Sequence, residues 1–254
     1  MRIAQFYIGK KTVTCQVPEH WNELSVSQFK AIVDKTYCEL DDVAFYARYF
    51  GITEDIVHSI DIYYVYVLGS LLKFTREMKG STKFLVPSVR LFGPKPLTVV
   101  SPSPALAGMS FMQFMMIDTF YTWYGQTKDR KHLVDMCCCC YLKEDENFFE
   151  MEMDERRKSW SLCGENDLFS VLVQWSLIKA WLSASYPYLF SSKEGGQPAT
   201  SKNGKVVLNN TWLEIFDSLV EEDLTRIDTY KRLACMDVFR IINRKIKNSK
   251  QNKR

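Results

Sequence analysis

The sequence predicts a mainly α (α+β) fold assembled from helical hairpins. Two stretches share the string S-x-x-Q-F, at Ser25–Phe29 and Ser110–Phe114, about 85 residues apart, and each leads into a helix, a polar break and a second apolar helix. In both, the Ser side chain can cap the amide three residues on while the Gln reaches back, the reciprocal pattern of a capping box. The N-terminus instead alternates around Gly9, Lys10 and Lys11, which predicts a small β-hairpin of IAQFYI against TVTCQV. Apolar residues at 46%, with 14% aromatics, supply ample core for 254 residues.

Taken in order, Pro18 ends the hairpin, and Trp21 and Leu24 are placed to fold over the first turn of the helix that Ser25 starts, as a hydrophobic staple. A polar break at Glu39–Asp42 separates it from a second aromatic helix that stops at Gly51. Thr53 caps a short segment to His58, and Asp61 caps a longer helix to about Met78. That helix is apolar on most sides, which predicts burial. From 83 to 100, apolar residues lie among prolines and glycines, which suits short strands or an extended β arm, with the N-terminal hairpin as a candidate partner.

Ser110 opens the central unit. Phe114, Ile117, Phe120, Tyr121 and Tyr124 recur every three or four residues and form an aromatic stripe. Gly125 is the expected stop, because glycine enters the left-handed region freely. After TKDRKH a second helix runs from Leu133 to Leu142. The two hairpins read either as an internal duplication or as two helices sharing a common cap.

Beyond them, Glu144–Glu155 is expected as an acidic, solvated loop, and a helix returns from Asn166 to about Tyr186. Ser191–Gly204 is a loop by composition and is expected to be mobile. A short helix at Thr211–Val220 and a last one from about Leu224 to Lys247 complete the chain. The expected organisation is 1–80, hairpin and first helical unit; 81–108, extended arm; 109–190, second helical unit; 191–210, loop; and 211–254, a C-terminal helical pair with a basic tail.

Composition excludes some classes of function. A net charge of +3 gives no whole-chain argument for nucleic acid. No apolar run reaches the roughly 20 residues of a membrane-spanning helix, the nearest being Tyr63–Leu72. Four of the eight cysteines are consecutive, Cys137–Cys140. On a helix, neighbouring side chains point about 100° apart, so these four cannot enclose one metal and read as small buried packing positions in a reducing compartment.

Chemistry is sparse. His20, His58 and His132 lie in separate segments without the i, i+4 spacing of a metal pair, and no nucleophile elbow, phosphate loop or dinucleotide fingerprint occurs. No catalytic, cofactor-binding or metal-ligating residue is therefore assigned, and the expectation is a protein that is not an enzyme. Two candidate contact surfaces remain. Phe111, Met112, Met115, Met116, Phe120 and Trp123 make the first central helix apolar almost all round, so it is packed within this fold or turned to another protein, and methionine suits adaptable partners. Arg240, Arg244, Lys245 and Lys247 make the last helix basic, for solvation, a protein partner or nucleic acid.

The strings VPEHWNELSVSQF, DDVAFYARYFGIT and SIDIYYVYVLGSLLKF, with MSFMQFMMIDTFYTWYGQTKDRKHL and YPYLF further on, resemble phage proteins of the tail assembly chaperone type, found in phages and prophages of gut bacteria. The matching residues are Trp21, Glu23, Leu24, Ser25, Gln28, Phe29, Gly51, Gln113, Phe114, Lys128, Asp129, Tyr186 and Pro187. The N-terminal hairpin and the cysteine run fall outside the pattern. The resemblance implies a virion morphogenesis factor in the cytoplasm of a bacterial host, or retained in the virion. It would hold apolar structural proteins such as a tape measure, tail or portal component, without membrane, and with a homo-oligomer as another association. Two alternatives stand beside it: a structural ring or head-to-tail connector component, and a nucleic-acid-binding regulator acting through the basic tail.

Overall fold

The computed structural model describes residues 2–8, 11–77, 79–93, 96–190, 211–220 and 224–251. Among them are eleven α-helices and two separate two-stranded antiparallel sheets, a mainly α fold with a small N-terminal β-hairpin. The chain divides into two compact units, one of residues 1–81 with 164–180, the other of 82–163 with 181–254. Residues 109–163 and 181–190 fall in the second unit and 164–180 in the first. The expected loop at 191–210 lies outside the described residues.

In the first unit β1 (Arg2–Ile8) pairs with β2 (Lys11–Val17) in the register Arg2 to Val17. Alternation puts Cys15 and Val17 in the core and leaves Ile3 and Tyr7 outside. Ser25 completes its capping box at α1 (Val26–Tyr37): its Oγ accepts the Gln28 amide at 3.2 Å and its own amide donates to Gln28 Oε1 at 3.0 Å. Trp21 is buried edge-on against Phe29 and donates its indole N–H to the Glu77 carbonyl. Helix α2 (Asp42–Phe50), capped by Asp41, ends at Gly51, whose φ of 67° is the left-handed stop the sequence predicts. After α3 (Glu54–Ser59), Asp61 caps α4 (Ile62–Leu71), and a 3-10 turn follows at Lys73–Arg76.

Helix α4 corrects the sequence reading. Instead of being buried, it turns Tyr63 and Tyr66 outward, at 67% and 77% exposure, and among its described side chains only Leu68 is fully buried. The tyrosines carry a polar tip and tolerate water. Residues 165–180 of a later helix close this unit through Lys30 to Asp167 at 2.7 Å, Asn166 to the Lys30 carbonyl, and the Tyr37 and Phe169 rings stacked at 4.6 Å.

In the second unit β3 (Ser88–Leu91) pairs with β4 (Leu97–Val100), so the arm at 83–100 makes its own hairpin and not one with the N-terminal strands. Val100 exchanges two backbone hydrogen bonds with Leu142, which ties the arm to the chain just after the cysteine run. Helix α5 (Phe111–Thr127) runs past Gly125; Lys128, at φ 56°, takes the left-handed position instead, with its ammonium over the Tyr124 ring. Asp129 then caps α6 (Arg130–Cys140), giving a two-residue hairpin turn. Ser110 accepts the Gln113 amide, but the box is not closed: Gln113 instead donates across the hairpin to the Cys139 carbonyl at 2.9 Å. The two hairpins therefore share an entry and diverge after it.

Cys137–Cys140 are free and buried, as read from the sequence. Burial pushes the thiols of Cys138, Cys139 and Cys140 far above their ordinary value, and that of Cys235 up to about 12.

The acidic stretch at 144–155 is largely exposed, as expected, but it is not wholly loop and one of its acids is drawn inside. It includes a 3-10 turn at Phe148–Glu150 and the start of α7 (Met153–Ser161). Glu146 receives both oxygens' worth of contact from Arg156, at 2.7 and 2.8 Å, and Arg156 also donates to the Tyr141 carbonyl. With Arg156 at 3% and Glu146 at 12% exposure, the pair is internal.

The longest apolar helix is α8 (Glu165–Ser185), not Tyr63–Leu72. By length and composition it could cross a membrane, but 56% of its apolar window is buried in the fold. Helix α9 (Thr211–Val220) matches the sequence reading. The last predicted helix is two, α10 (Ile227–Arg232) and α11 (Cys235–Gln251), because Leu233 and Ala234 leave helical geometry to pair with the chain entering α5. Phe111 donates to the Leu233 carbonyl and Cys235 to that of Met109.

Candidate functional site

Helix α5 has one face in the core and one beside an apolar groove. Phe111 and Phe114 belong to the core: their rings pack with Trp212, Phe239 and, for Phe111, Phe216. Phe111 is 0% exposed, which removes it from the contact residues read from the sequence, since it is already spent on α9 and α11. The other five predicted residues come together. Met112, Met115, Met116, Phe120 and Trp123 line one groove of about 290 Å³, walled by Trp212 and Phe216 of α9 and closed at one end by Lys231 of α10. Met115 is buried in its floor, while Met112, Met116, Phe120 and Trp123 are half-buried.

A second hollow of about 350 Å³ shares Met112, Met116 and Lys231, and adds Phe148, Phe149, Met151 and Met153 with Asp228 and Arg232. The two hollows thus form one apolar trough with five methionines and a cationic end. Lys231 reaches Asp228 at 3.5 Å, and the Arg232 guanidinium lies 4.4 Å from the Phe149 ring centre. Methionine side chains are unbranched and polarizable, so such a lining adapts to more than one apolar shape.

What holds the wall in place is a buried polar contact. The Trp212 indole N–H donates to Asp118 Oδ2 at 2.6 Å, fixing α9 on α5 one turn from the groove floor. Sequence reading missed this wall, because Trp212 and Asp118 lie 94 residues apart. It also passed over Phe148, Phe149, Met151 and Met153, although four large apolar residues among the acids were a readable signal.

Arg240, Arg244, Lys245 and Lys247 of α11 are on the surface. Arg240, Arg244 and Lys247 follow at four and three residues and share one face, Lys245 points about 100° away from Arg244, and Arg240 is paired to Asp237 at 3.0 Å. His20 and His58 are exposed in the first unit and His132 packs edge-on against Trp123 in the second. Among the described residues no group of His, Cys, Asp or Glu is arranged to hold a metal ion. No protein-family model, no curated protein and no solved structure matches this chain.

Proposed function

We propose that this protein is a non-enzymatic assembly factor that holds an apolar segment of another polypeptide in the methionine-lined trough beside α5. The carrying observation is that Met112, Met115, Met116, Phe120 and Trp123, with Trp212 and Phe216, present apolar surface along a groove instead of closing over it. Burial of that surface by a partner contributes roughly 25 cal/mol per Å² covered. The occupant that fits is a helical or extended apolar segment with a carboxylate near one end, because Lys231 and Arg232, set against the single carboxylate of Asp228, leave one net positive charge on an otherwise uncharged lining. The likeness to tail assembly chaperones supplies the setting: a phage morphogenesis factor keeping a tape measure or other tail protein soluble until the tail is built.

The test is co-expression with the structural proteins encoded beside it. The wild-type chain should retain one of them in the soluble fraction, and Met116→Glu or Phe120→Glu should release it while the thermal midpoint of the free protein stays within a few degrees. Retention unaffected by both charges would sink the reading.

A further inference from the structure

The first unit contains a larger hollow that the trough does not explain. It encloses about 670 Å³ between α1, α2, α4 and the 3-10 turn after α4, within the range of about 300–1,000 Å³ typical of small-molecule sites. Phe45, Tyr46 and Tyr66 give it an aromatic lining, and Tyr66 has most of its ring in solvent. Gly69 contributes to this shape, since a Cβ there would stand 3.0 Å from the Tyr46 hydroxyl. Lys35, Lys73 and Arg76 add cations to the same lining. Lys35 is occupied by Asp42 at 2.7 Å and by the Leu40 carbonyl at 2.9 Å, so those two charges cancel. Lys73 and Arg76 have no carboxylate within ion-pair distance among the described residues, and both line the hollow.

Lys73 and Arg76 are the two ends of one 3-10 turn. Side chains at i and i+3 eclipse in that geometry, one turn or about 6 Å apart, so both cations rise over the same rim. Their place after the C-terminus of α4 accounts for the sign of the charge, because cations there complement the helix dipole. It does not account for an open hollow with an aromatic wall beneath them.

We infer that this hollow binds a flat aromatic ring carrying a phosphate, the chemistry of a nucleotide, with the ring against Tyr46 and Tyr66 and the phosphate between Lys73 and Arg76. Thr36, Ser70 and Thr75 line the space between. Each hydroxyl donates to a carbonyl of its own helix or turn, at 2.7 Å in every case, and keeps its lone pairs for a ligand donor such as a ribose hydroxyl or a base amino group. The phosphate could be free or belong to a strand; the chemistry at the site is the same.

Calorimetric titration of the full chain with adenosine monophosphate, inorganic phosphate, adenosine and an oligothymidylate tests this. Adenosine monophosphate should bind, with phosphate alone and adenosine alone each weaker. Lys73→Ala with Arg76→Ala should weaken binding by about tenfold or more, as loss of charge-assisted contacts requires. Both residues are exposed, so the fold should be kept, and the melting temperature should fall by no more than the few degrees that their share of the helix dipole is worth. A second variant, Ser70→Trp, fills the hollow without touching the charges and should also abolish binding. A strand binding more tightly than the mononucleotide, and losing its affinity in the same variants, assigns the site to a strand. No binding of any nucleotide, phosphate alone binding as well as the nucleotide, or an undiminished affinity in the double variant would overturn the inference.

Discussion

Trp212 does two jobs that substitution can separate. Its ring lies in a cluster with Phe111, Phe114, Phe190 and Phe239, at centre separations of 6.1, 5.0, 5.7 and 6.0 Å, and its N–H binds the buried Asp118 carboxylate at 2.6 Å. Trp212→Phe keeps an aromatic ring in the cluster and removes the donor. A hydrogen bond to a charged group contributes about 1.5–3 kcal/mol, so this variant should lose that much in urea unfolding, with the slope unchanged. Trp212→Ala removes the ring as well and should cost about 3–5 kcal/mol, because the aromatic cluster is left with a cavity. Partner retention should split the two differently. The phenyl ring still walls the groove, so Trp212→Phe should keep binding, while Trp212→Ala should lose it at temperatures where the protein remains folded. A cost near zero for Trp212→Phe would mean the carboxylate contact contributes nothing. Undiminished binding by Trp212→Ala would refute the assignment of the trough as the contact surface.

The internal ion pair gives a second expectation: Glu146→Ala should destabilise by about 3–5 kcal/mol, since it strands the Arg156 guanidinium at 3% exposure, while Glu146→Leu with Arg156→Met should cost far less in a double-mutant cycle. The two S-x-x-Q-F entries should respond unequally. Gln28→Ala removes the exposed half of a cap and a long, exposed bond to the Gln16 carbonyl and should cost under about 1 kcal/mol in chemical denaturation, whereas Gln113→Ala leaves the buried Cys139 carbonyl without its donor and should cost about 1–3 kcal/mol. Finally, the buried thiols should make the fold sensitive to alkali. Their folded pKa values lie above the ordinary thiol value of 9.0, so the native state holds protons that the unfolded state releases. The stabilisation is fully present below about pH 9 and is lost as pH rises toward the folded values, with Cys235 at about 12. Melting temperature against pH should fall above pH 9, and Cys235→Ala should flatten part of that fall. Thiol reagent should leave Cys137–Cys140 unmodified until denaturant is added.

Much of the fold was legible because its signals are local. Caps at Ser25, Asp41, Thr53, Asp61 and Ser110 act on amides two or three residues away, and Gly51 meets its left-handed requirement by itself. The misreadings occur where a distant partner decides. Gly125 would have been an adequate stop, but the tight turn to α6 sets where α5 ends, and Lys128 can enter the left-handed region while its ammonium rests on Tyr124. The last helix breaks at Leu233–Ala234 because Met109 and Phe111, over 120 residues earlier, take its backbone hydrogen bonds. Gln113 gives up a local bond for one to Cys139, a choice that periodicity cannot show.

The same distinction governs the candidate sites. That α5 is apolar almost all round could be read from Met112, Met115, Met116 and Phe120; which side stays open could not, because Trp212 and Phe216 cover Phe111 and leave the methionines at the rim. For α4 the error ran the other way. Its apolar composition predicts burial, yet tyrosine satisfies a hydrophobic count while accepting solvent, and the outward Tyr63 and Tyr66 are what that count hides. In the two readings proposed above, a helix too apolar to be a free surface and too exposed to be core keeps that surface for another molecule. It occurs once in each unit, with a methionine lining in one and a tyrosine and cation lining in the other. The chemistry of the two linings differs enough that one occupant cannot serve both, so charge reversal at Lys73 and Arg76 should leave retention of an apolar partner unchanged.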